Sequence, residues 1–278
     1  MKAALNYSVI GEFPGNIKAM LELAAKYGFK AIEATPALVE EYGVENTIEV
    51  IKEIGIGISV FSMPFRPVES SNEEYEKNIA AFEQKVEIME KVGCKMCFTF
   101  VRSSSDEYEF EDNYEFHVKR WKPVAEILKK HGMKLALEFL GPKTTMLKKR
   151  YPFIRTADAL LPLCRDIGDN CGLAFDFWHW YSSGADRDVF EKINGTKYIY
   201  HVHLNDACPG NVDELMDKPR MLVGTSGVID TQFLLSKLNE YGYDGYCISE
   251  SFSEELKRLP SLEDKVRRTK EAIDHALK

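Results

Sequence analysis

Short apolar runs alternate along the chain with longer segments in which apolar residues recur every three or four positions. Short runs rich in β-branched and aromatic residues are typical of strands, and the three-to-four spacing is typical of amphipathic helices. Eight runs predict strands: AALNY (3–7), AIEA (31–34), GISVFS (57–62), KMCFTFV (95–101), MKLALEF (133–139), GLAFDF (172–177), YIYHVHL (198–204) and GYCISE (245–250). Six segments predict helices: 16–28, 72–93, 113–132, 156–168, 231–242 and 262–277.

The order of these segments predicts the fold. A helix that follows a strand returns the chain to the same edge of a sheet, so the alternation predicts parallel strands. Eight strands in 278 residues fit a closed (β/α)8 barrel, or TIM barrel, with residues 1–278 forming a single α/β domain. A doubly wound open sheet is the alternative, although no G-x-G-x-x-G follows the first strand.

Glycines mark the predicted ends of five helices. Because glycine adopts the left-handed conformation without steric cost, each is expected to terminate its helix in that conformation. The five are Gly28, Gly93, Gly132, Gly168 and Gly242.

Two predicted connections are long, and both follow strand ends. The first runs from Gly141 to about Arg155, and the second from Asn205 to about Val228. Long loops on this face of a barrel are commonly substrate loops. The second contains VGTSG (223–227), in a zone where barrels often bind phosphate. These glycines either hold a phosphate or only form the turn, so the sequence leaves phosphorylation of a substrate open.

Acidic or imidazole residues end the last four predicted strands: Glu138, Asp176, His203 and Glu250. Side chains two apart on a strand share a face, so all four are expected to point into the mouth of the barrel. Buried charges need partners, and one divalent cation would satisfy three carboxylates together. The alternative is that each residue only caps a loop or pairs with Lys or Arg. Three carboxylates and an imidazole favour Mn²⁺, Mg²⁺ or Co²⁺, with Zn²⁺ as a further candidate.

The composition excludes several classes of partner. The formal net charge is −8, and phosphate backbones require clustered Lys and Arg, so no nucleic-acid partner is expected. No apolar stretch approaches the roughly 18 residues of a membrane span, and the first residues lack the apolar run of a secretory signal. Six cysteines are too sparse for a disulfide framework. We expect a cytoplasmic protein with no membrane partner.

The second half of the chain carries short motifs in the order of the strands. They are L-x-L-E (135–138), D-x-x-H (176–179), H-V-H-L-N-D (201–206), G-V-I-D (227–230) and G-Y-D-G-Y-C-I-S-E (242–250). In this order they resemble the xylose isomerase-like barrels, a superfamily of sugar isomerases and epimerases that also holds endonuclease IV. The resemblance covers nearly the whole chain and implies the TIM barrel fold, but it does not specify a substrate.

The resemblance implies roles for individual residues. Similar proteins bind one divalent metal, with Mn²⁺ favoured here, through ligands that fall on Glu138, Asp176, His203 and Glu250. His179 of D-x-x-H is expected to contact substrate oxygens, and Arg220 best matches a basic residue that reaches the substrate. The endonuclease branch is not expected, because its trinuclear zinc site needs several more histidines than the six of this chain provide.

The resemblance also implies metal-assisted proton transfer beside a carbonyl, in a sugar or sugar-phosphate isomerase or epimerase. Glu138 and Glu250 would flank a small sugar or related polyol ketone, one removing a proton to form an enediolate and the other returning one. A dehydratase (lyase) of the inosose or dehydroshikimate type shares the first step and is the main alternative. A non-catalytic sugar- or metal-binding barrel is the third hypothesis. Homo-oligomers are common among such barrels, but no sequence feature fixes the oligomeric state.

Three further residues are retained as candidate substrate contacts. Glu33 ends the second strand and either bonds a sugar hydroxyl or caps a loop. His201 lies one layer below His203 and is either a core residue or a substrate contact. Trp178 precedes His179, and its ring suits either the C–H face of a sugar or packing at the barrel edge.

Overall fold

The structure, a computed structural model, describes every residue from Met1 to Lys278. Eight parallel strands close into a barrel in which each strand pairs with the next along the chain and the last pairs with the first. They are β1 (Lys2–Leu5), β2 (Ala31–Ala34), β3 (Gly57–Ser62), β4 (Met96–Val101), β5 (Lys134–Phe139), β6 (Cys171–Asp176), β7 (Ile199–Leu204) and β8 (Tyr246–Ser249). The predicted (β/α)8 barrel is confirmed, and the open-sheet alternative is wrong.

Helices surround the barrel and fill the connections. They are α1 (Tyr7–Ile10), α2 (Ile17–Lys26), α3 (Pro36–Tyr42), α4 (Val44–Ile54), α5 (Asn72–Lys91), α6 (Phe110–Lys130), α7 (Lys143–Met146), α8 (Ala157–Ile167), α9 (Phe177–Ser182), α10 (Val189–Lys192), α11 (Thr231–Glu240), α12 (Glu254–Lys257) and α13 (Leu262–Ala276). All six predicted helices are present within a few residues of their predicted ends. The hydrophobic pattern predicts no helix in the crossover from β2 to β3. In the structure Gly43, with φ at 93°, divides this crossover into two helices, α3 with 7 residues and α4 with 11.

The predicted left-handed helix ends are confirmed at four glycines and wrong at the fifth. The backbone φ angle is 64–81° at Gly28, Gly93, Gly132 and Gly242. At Gly168 it is 173°, because the chain passes from α8 towards β6 in extended conformation while the Gly168 N–H bonds the Cys164 carbonyl. No helix combines the length and apolar character needed to cross a membrane.

One apolar layer inside the barrel sets the direction of the side chains above it. The layer consists of Ala4, Ala31, Val60, Phe98, Ala136, Ala174 and Ile248. Because strand side chains alternate, the residues two positions further along point into the same interior, one layer nearer the carboxyl-terminal end. By this rule Glu138, Asp176 and Glu250 enter the mouth of the barrel above Ala136, Ala174 and Ile248.

The two long loops predicted from the sequence meet over this end of the barrel. The first contains α7, and the second contains a 3₁₀ turn at Val212–Glu214. Lys143 Nζ lies 2.6 Å from Asp213 Oδ2. Thr144 Oγ1 donates a hydrogen bond of 2.7 Å to the carbonyl of Leu215. The loops after β5 and β7 therefore form one wall of the mouth.

His117 on α6 is a buried titratable group outside the barrel. It is 3% exposed, its Nδ1 lies 2.7 Å from the Asn113 carbonyl oxygen, and its ring packs 4.8 Å from that of Phe153. Burial lowers its pKa from 6.5 to about 4. The folded chain therefore holds His117 neutral over a pH range in which the unfolded chain protonates it.

This difference predicts a loss of stability in mild acid. Between pH 6.5 and 4 the unfolded chain binds a proton that the folded chain does not, so the free energy of unfolding falls as pH falls, by up to about 3 kcal/mol. We expect His117→Gln to lose less stability over this window than the unsubstituted protein, measured by urea unfolding at each pH. Equal losses of stability in the two proteins would contradict the lowered pKa of His117 in the folded chain.

Candidate metal centre

Side chains from four consecutive strands converge at the mouth of the barrel. They are Glu138 on β5, Asp176 at the end of β6, His203 on β7 and Glu250 directly after β8. One nitrogen or oxygen atom from each lies within 4.8 Å of the other three. His203 Nδ1 lies 2.7 Å from Glu138 Oε1, 3.4 Å from Glu250 Oε2 and 3.7 Å from Asp176 Oδ2. The structure thus brings together the four residues that the sequence singled out.

Asp176 holds its position through both carboxylate oxygens. It is the N-cap of α9, and its Oδ1 accepts the His179 backbone N–H at 2.7 Å. Its Oδ2 accepts a hydrogen bond of 2.8 Å from Asn205 Nδ2. A carboxylate at a helix N-terminus is stabilised by the unpaired backbone N–H groups there. The D-x-x-H spacing therefore links Asp176 and His179 through one helix cap.

Arg220 enters the same cluster from the loop after β7. It is 2% exposed, and its Nη1 lies 2.9 Å from Glu250 Oε2 and 3.1 Å from Asp176 Oδ2. Its Nη2 lies 2.9 Å from Asp217 Oδ1, and the Trp178 ring packs 4.8 Å from the guanidinium. Arg220 therefore balances part of the negative charge of the carboxylates at the mouth, and its contact with a substrate stays a prediction.

The environments of the carboxylates separate their acidities. Burial raises the pKa of Glu138 to about 8, and the charge of Glu250 adds to this. Burial also raises the pKa of Asp176. Burial acts the same way on Glu250, but His203 and Arg220 outweigh it and hold the Glu250 pKa below its ordinary value. Burial lowers the pKa of His203, yet Glu250 and Glu138 outweigh it and raise that pKa well above the usual value.

Two donors face the ring nitrogens of His179. The Gly141 N–H lies 3.2 Å from His179 Nδ1, and Arg220 Nη2 lies 3.1 Å from His179 Nε2. Burial, followed by the charge of Arg220, lowers the His179 pKa well below its usual value and keeps the ring neutral. Because a neutral imidazole accepts a hydrogen bond at only one nitrogen, His179 accepts from one of these two donors. His179 Nε2 also lies 3.7 Å from Glu138 Oε2, so the ring is held beside the cluster.

Gly141 makes its contact with His179 because it has no side chain. A Cβ atom at this position would overlap the His179 carbonyl oxygen and lie 2.5 Å from Ser182 Oγ. Arg155 also anchors this point, since its Nε donates to the Gly141 carbonyl at 2.9 Å. Close packing of Gly141 on α9 thus fixes the orientation of His179.

The other three candidate residues lie around the cluster. Glu33 is 7% exposed, accepts a hydrogen bond of 2.6 Å from Asn6 Nδ2 and another from Ser62 Oγ, and has a pKa raised by burial. His201 is 1% exposed, with its ring 4.7 Å from that of His203 in the layer below. Trp178 is also 1% exposed and packs against Arg220. Their roles as substrate contacts stay predictions.

The VGTSG segment forms its turn around a carboxylate of the chain itself. Buried Asp206 accepts the backbone N–H groups of Ser226 and Gly227 on Oδ2, at 3.0 and 2.9 Å. Its Oδ1 accepts those of Ile229 and Ala207, at 3.0 and 2.9 Å. The N–H groups that a phosphate would need are therefore already bonded. Of the two alternatives for these glycines, the geometry supports the turn.

Two residues at the site were not identified from the sequence. Asn205 bonds Asp176, and a signal for it was present, because it lies two residues after His203 in the H-V-H-L-N-D motif. Gly141 positions His179, but its contact joins residues 38 apart in sequence and leaves no local pattern. Only the packing of the loop after β5 on α9 reveals it.

The donor set fits a divalent cation. Three carboxylates and one imidazole, with little solvent access, offer the oxygen and nitrogen ligands that divalent ions bind. Ligand atoms bound to one ion at about 2.1 Å lie at most about 4 Å apart, close to the spacing found here. The four residues could hold one ion after small side-chain movements, and a fifth acid at the mouth, Glu33, lies outside this set.

Comparison with known proteins agrees with the fold. Residues 21–277 match the family model described as xylose isomerase-like TIM barrel. Inosose isomerase of Bacillus velezensis is 24% identical over 272 residues, which cover 93% of this chain and 91% of that protein. Inosose dehydratase of Klebsiella pneumoniae is 26% identical over 200 residues, which cover 65% of this chain and 66% of that protein.

The fold also matches solved structures. The crystal structure of an IOLI protein with a bound zinc atom has a TM-score of 0.85 and 22% sequence identity, with 100% of this chain and 98% of that chain covered. At this identity the likeness concerns the fold alone. The zinc atom belongs to that protein.

Substitution of one cluster residue should weaken metal binding selectively. In Asp176→Asn the shape and the helix cap are kept, but an anionic ligand is lost, so we expect Mn²⁺ and Zn²⁺ to bind roughly 100-fold more weakly or worse. Glu33→Gln is the matched control, since Glu33 is a buried carboxylate at the same mouth outside the cluster. Calorimetric titration of each chelator-treated variant with Mn²⁺ and with Zn²⁺ measures these affinities. Equal affinities in the two variants would contradict the proposed ligand set.

Gly141→Ala should disturb His179 rather than the barrel as a whole. The new Cβ overlaps the first turn of α9, and such overpacking costs about 1–3 kcal/mol of stability. We expect a lower melting temperature and a changed His179 signal in histidine NMR spectra. Gly57→Ala is the control, because a Cβ there meets nothing nearer than 3.9 Å. An unchanged His179 signal in Gly141→Ala would be evidence against this contact.

Proposed function

The chain belongs to the xylose isomerase-like TIM barrel family, and we propose that it is a divalent-metal-dependent isomerase or epimerase of a polyhydroxy ketone. One observation carries the proposal. Glu138 and Glu250 both reach His203 Nδ1 at the mouth of the barrel, at 2.7 and 3.4 Å, and their environments move their pKa values in opposite directions. Paired carboxylates with separated acidities suit removal and return of a proton.

Glu138, Asp176, His203 and Glu250 would hold the metal ion. When bound, it supplies Lewis-acid polarisation of a substrate carbonyl and of a neighbouring hydroxyl. We propose Mn²⁺ from the predominance of carboxylate oxygen among the ligands, and the zinc-containing structural neighbour supports Zn²⁺ as the competing ion.

Glu138 and Glu250 would exchange protons with the carbon beside the carbonyl. A carboxylate on one side of the substrate accepts the proton, which leaves an enediolate, and a carboxylic acid on the other side donates one. Return to the same carbon from the opposite face gives an epimer, and return to the former carbonyl carbon gives the aldose–ketose isomer. Because both carboxylates share the buried cluster, their protonation is coupled.

Neutral and charged donors nearby would stabilise the oxygen that gains charge in this step. With Gly141 bonded to Nδ1, His179 would donate its Nε2–H to a substrate oxygen beside Glu138, in place of the contact that Arg220 Nη2 makes with Nε2. Arg220 supplies two further N–H groups, held in place by Asp217 and by packing on Trp178. Preorganised donors of this kind lower the barrier because they need no rearrangement during the reaction. Trp178 would then act by positioning Arg220.

Glu33 and His201 have lesser roles in this proposal. Glu33, whose raised pKa favours the protonated form, would bond a substrate hydroxyl from the β2 side of the mouth. His201 would support His203 from the layer below, since its ring packs against those of His203 and Phe98.

The substrate class follows from two observations. Asp206 fills the loop that binds phosphate in many barrels, which supports an unphosphorylated substrate. Relatives similar to this chain are named inosose isomerase and inosose dehydratase, which favours a cyclic polyol ketone over an open-chain sugar. We therefore propose an unphosphorylated cyclitol ketone or a related ketose.

A dehydratase is the second candidate function. The relative named inosose dehydratase favours it, and Glu138, whose pKa is raised to about 8, could supply the proton that the leaving hydroxyl takes. Proton removal by a carboxylate is shared with the isomerase, but a β-hydroxyl then leaves as water. A non-catalytic binding barrel would retain the same ligand contacts and perform neither step.

Solvent exchange separates these functions. We expect the Mn²⁺-loaded protein to incorporate deuterium from D₂O at a carbon of an isomeric product, tested on a panel of cyclitol ketones and ketoses. Glu138→Gln and Glu250→Gln should each lose roughly 10²–10⁴-fold of kcat, whereas Glu33→Gln, at a substrate contact outside the acid–base pair, should raise KM and leave kcat nearly unchanged. Metal content is measured for every variant, so that loss of the ion is distinguished from loss of the acid–base group.

Other results would overturn the isomerase. An ultraviolet-absorbing enone product from the unsubstituted protein would identify the dehydratase. Ligand binding without exchange or product on any member of the panel would identify the binding barrel.

A further inference from the structure

A polar cavity of about 590 Å³ lies beside the carboxyl-terminal half of β4. Thr99, Phe100 and Val101 line it from this strand. Helix α6 and the loops after β3 and β4 form the other walls. None of the four clustered metal-ligand candidates lines this cavity.

Arg120 on α6 is a buried cation of this cavity without an anionic partner. It is 5% exposed, and its guanidinium packs between the rings of Tyr75 and Phe116, at 4.1 and 5.1 Å. Its Nη2 donates to Asn72 Oδ1 at 2.6 Å, but no carboxylate lies within 4 Å and its Nη1 has no hydrogen-bond partner. The neighbouring Trp121 also lines the cavity, and its buried Nε1–H is likewise unpaired.

A second arginine at the cavity lacks a carboxylate as well. Arg66 Nη1 donates to Thr99 Oγ1 at 3.0 Å, and its guanidinium stacks on Phe100 at 4.2 Å. The remaining cations are paired. Arg102 lies 2.9 Å from Glu69, and Lys149 lies 3.3 Å from Asp106. The cavity thus keeps two guanidinium groups whose charge is not balanced by a contact.

Burying a guanidinium group such as that of Arg120 costs free energy unless an anion pairs with it. A buried charge or donor without a partner costs free energy, and the usual solution is a paired group of opposite sign. The other deeply buried arginine of this chain, Arg220, follows that rule, with Asp176, Asp217 and Glu250 around it. Arg120 has aromatic rings and an amide instead. The missing partner in this cavity is an anion.

We propose that this cavity binds a small anionic molecule through a carboxylate or phosphate group. Planar guanidinium groups bind both anions with paired hydrogen bonds, and the Trp121 indole and the serine and asparagine side chains of the lining offer further polar contacts. The volume accommodates a small organic anion rather than a polymer. None of the four proposed metal ligands contributes to the cavity, so the inference does not rest on the proposed enzymatic function.

Anion titration of metal-free protein tests the proposal. Chelator-treated and dialysed protein is titrated with inorganic phosphate and, separately, with malonate, at ionic strength matched with chloride, and binding is followed by calorimetry and thermal melting. We expect one site for at least one of the two anions, with a raised melting temperature. Binding of phosphate alone identifies a phosphorylated ligand, and binding of malonate alone identifies a carboxylate.

Substitutions assign the binding to this cavity. Arg66→Gln, at an exposed position that should not affect folding, should weaken binding roughly tenfold. Arg120→Met should abolish it if the variant folds, and Arg120→Lys should bind more weakly than the unsubstituted protein. Arg165→Gln is the matched control, an exposed arginine that packs on Tyr198 away from the cavity. The proposal is overturned if neither anion binds better than chloride, or if Arg66→Gln binds as tightly as Arg165→Gln.

Discussion

The mouth of this barrel depends on mutual compensation among buried charges. Glu138, Asp176 and Glu250 are brought within reach of one imidazole nitrogen, that of His203, and Arg220 bonds two of the three carboxylates. Removing His203 would leave Glu138 without a charged partner where water is scarce. The helix cap at Asp176, the Asn205 amide and the close packing of Gly141 on His179 hold the surrounding side chains in place.

The fold and the convergence of the four residues could be predicted because both follow from short periodicities. Strand alternation alone places Glu138 two residues above Ala136, and closure of the barrel brings successive strand ends together. Of the helices that the sequence does not predict, α3 and α4 lie on either side of Gly43, and α4 is as long as the predicted α8. The others have only four to six residues: α1, α7, α9, α10 and α12. Local rules therefore fail where a helix is too short to show its period or where a glycine interrupts the pattern.

Contacts between distant loops could not be predicted in the same way. The loop after β7 has no period, and the bonds of Arg220 to Glu250 and Asp217 depend on its path over the barrel. The VGTSG glycines suggested a phosphate site because glycine content does not reveal which acceptor the backbone meets. Asp206, 17 residues before Val223 in sequence, supplies that acceptor only after the chain has folded back.

The side chain of Asp206 also bears on how such a barrel could change its ligands during evolution. The buried carboxylate of Asp206 occupies the position in which other barrels bind a phosphate group of the substrate. Replacement of Asp206 by a smaller residue would leave four backbone N–H groups without their acceptor. A single substitution at position 206 would therefore create an anion-binding site before any catalytic group changed.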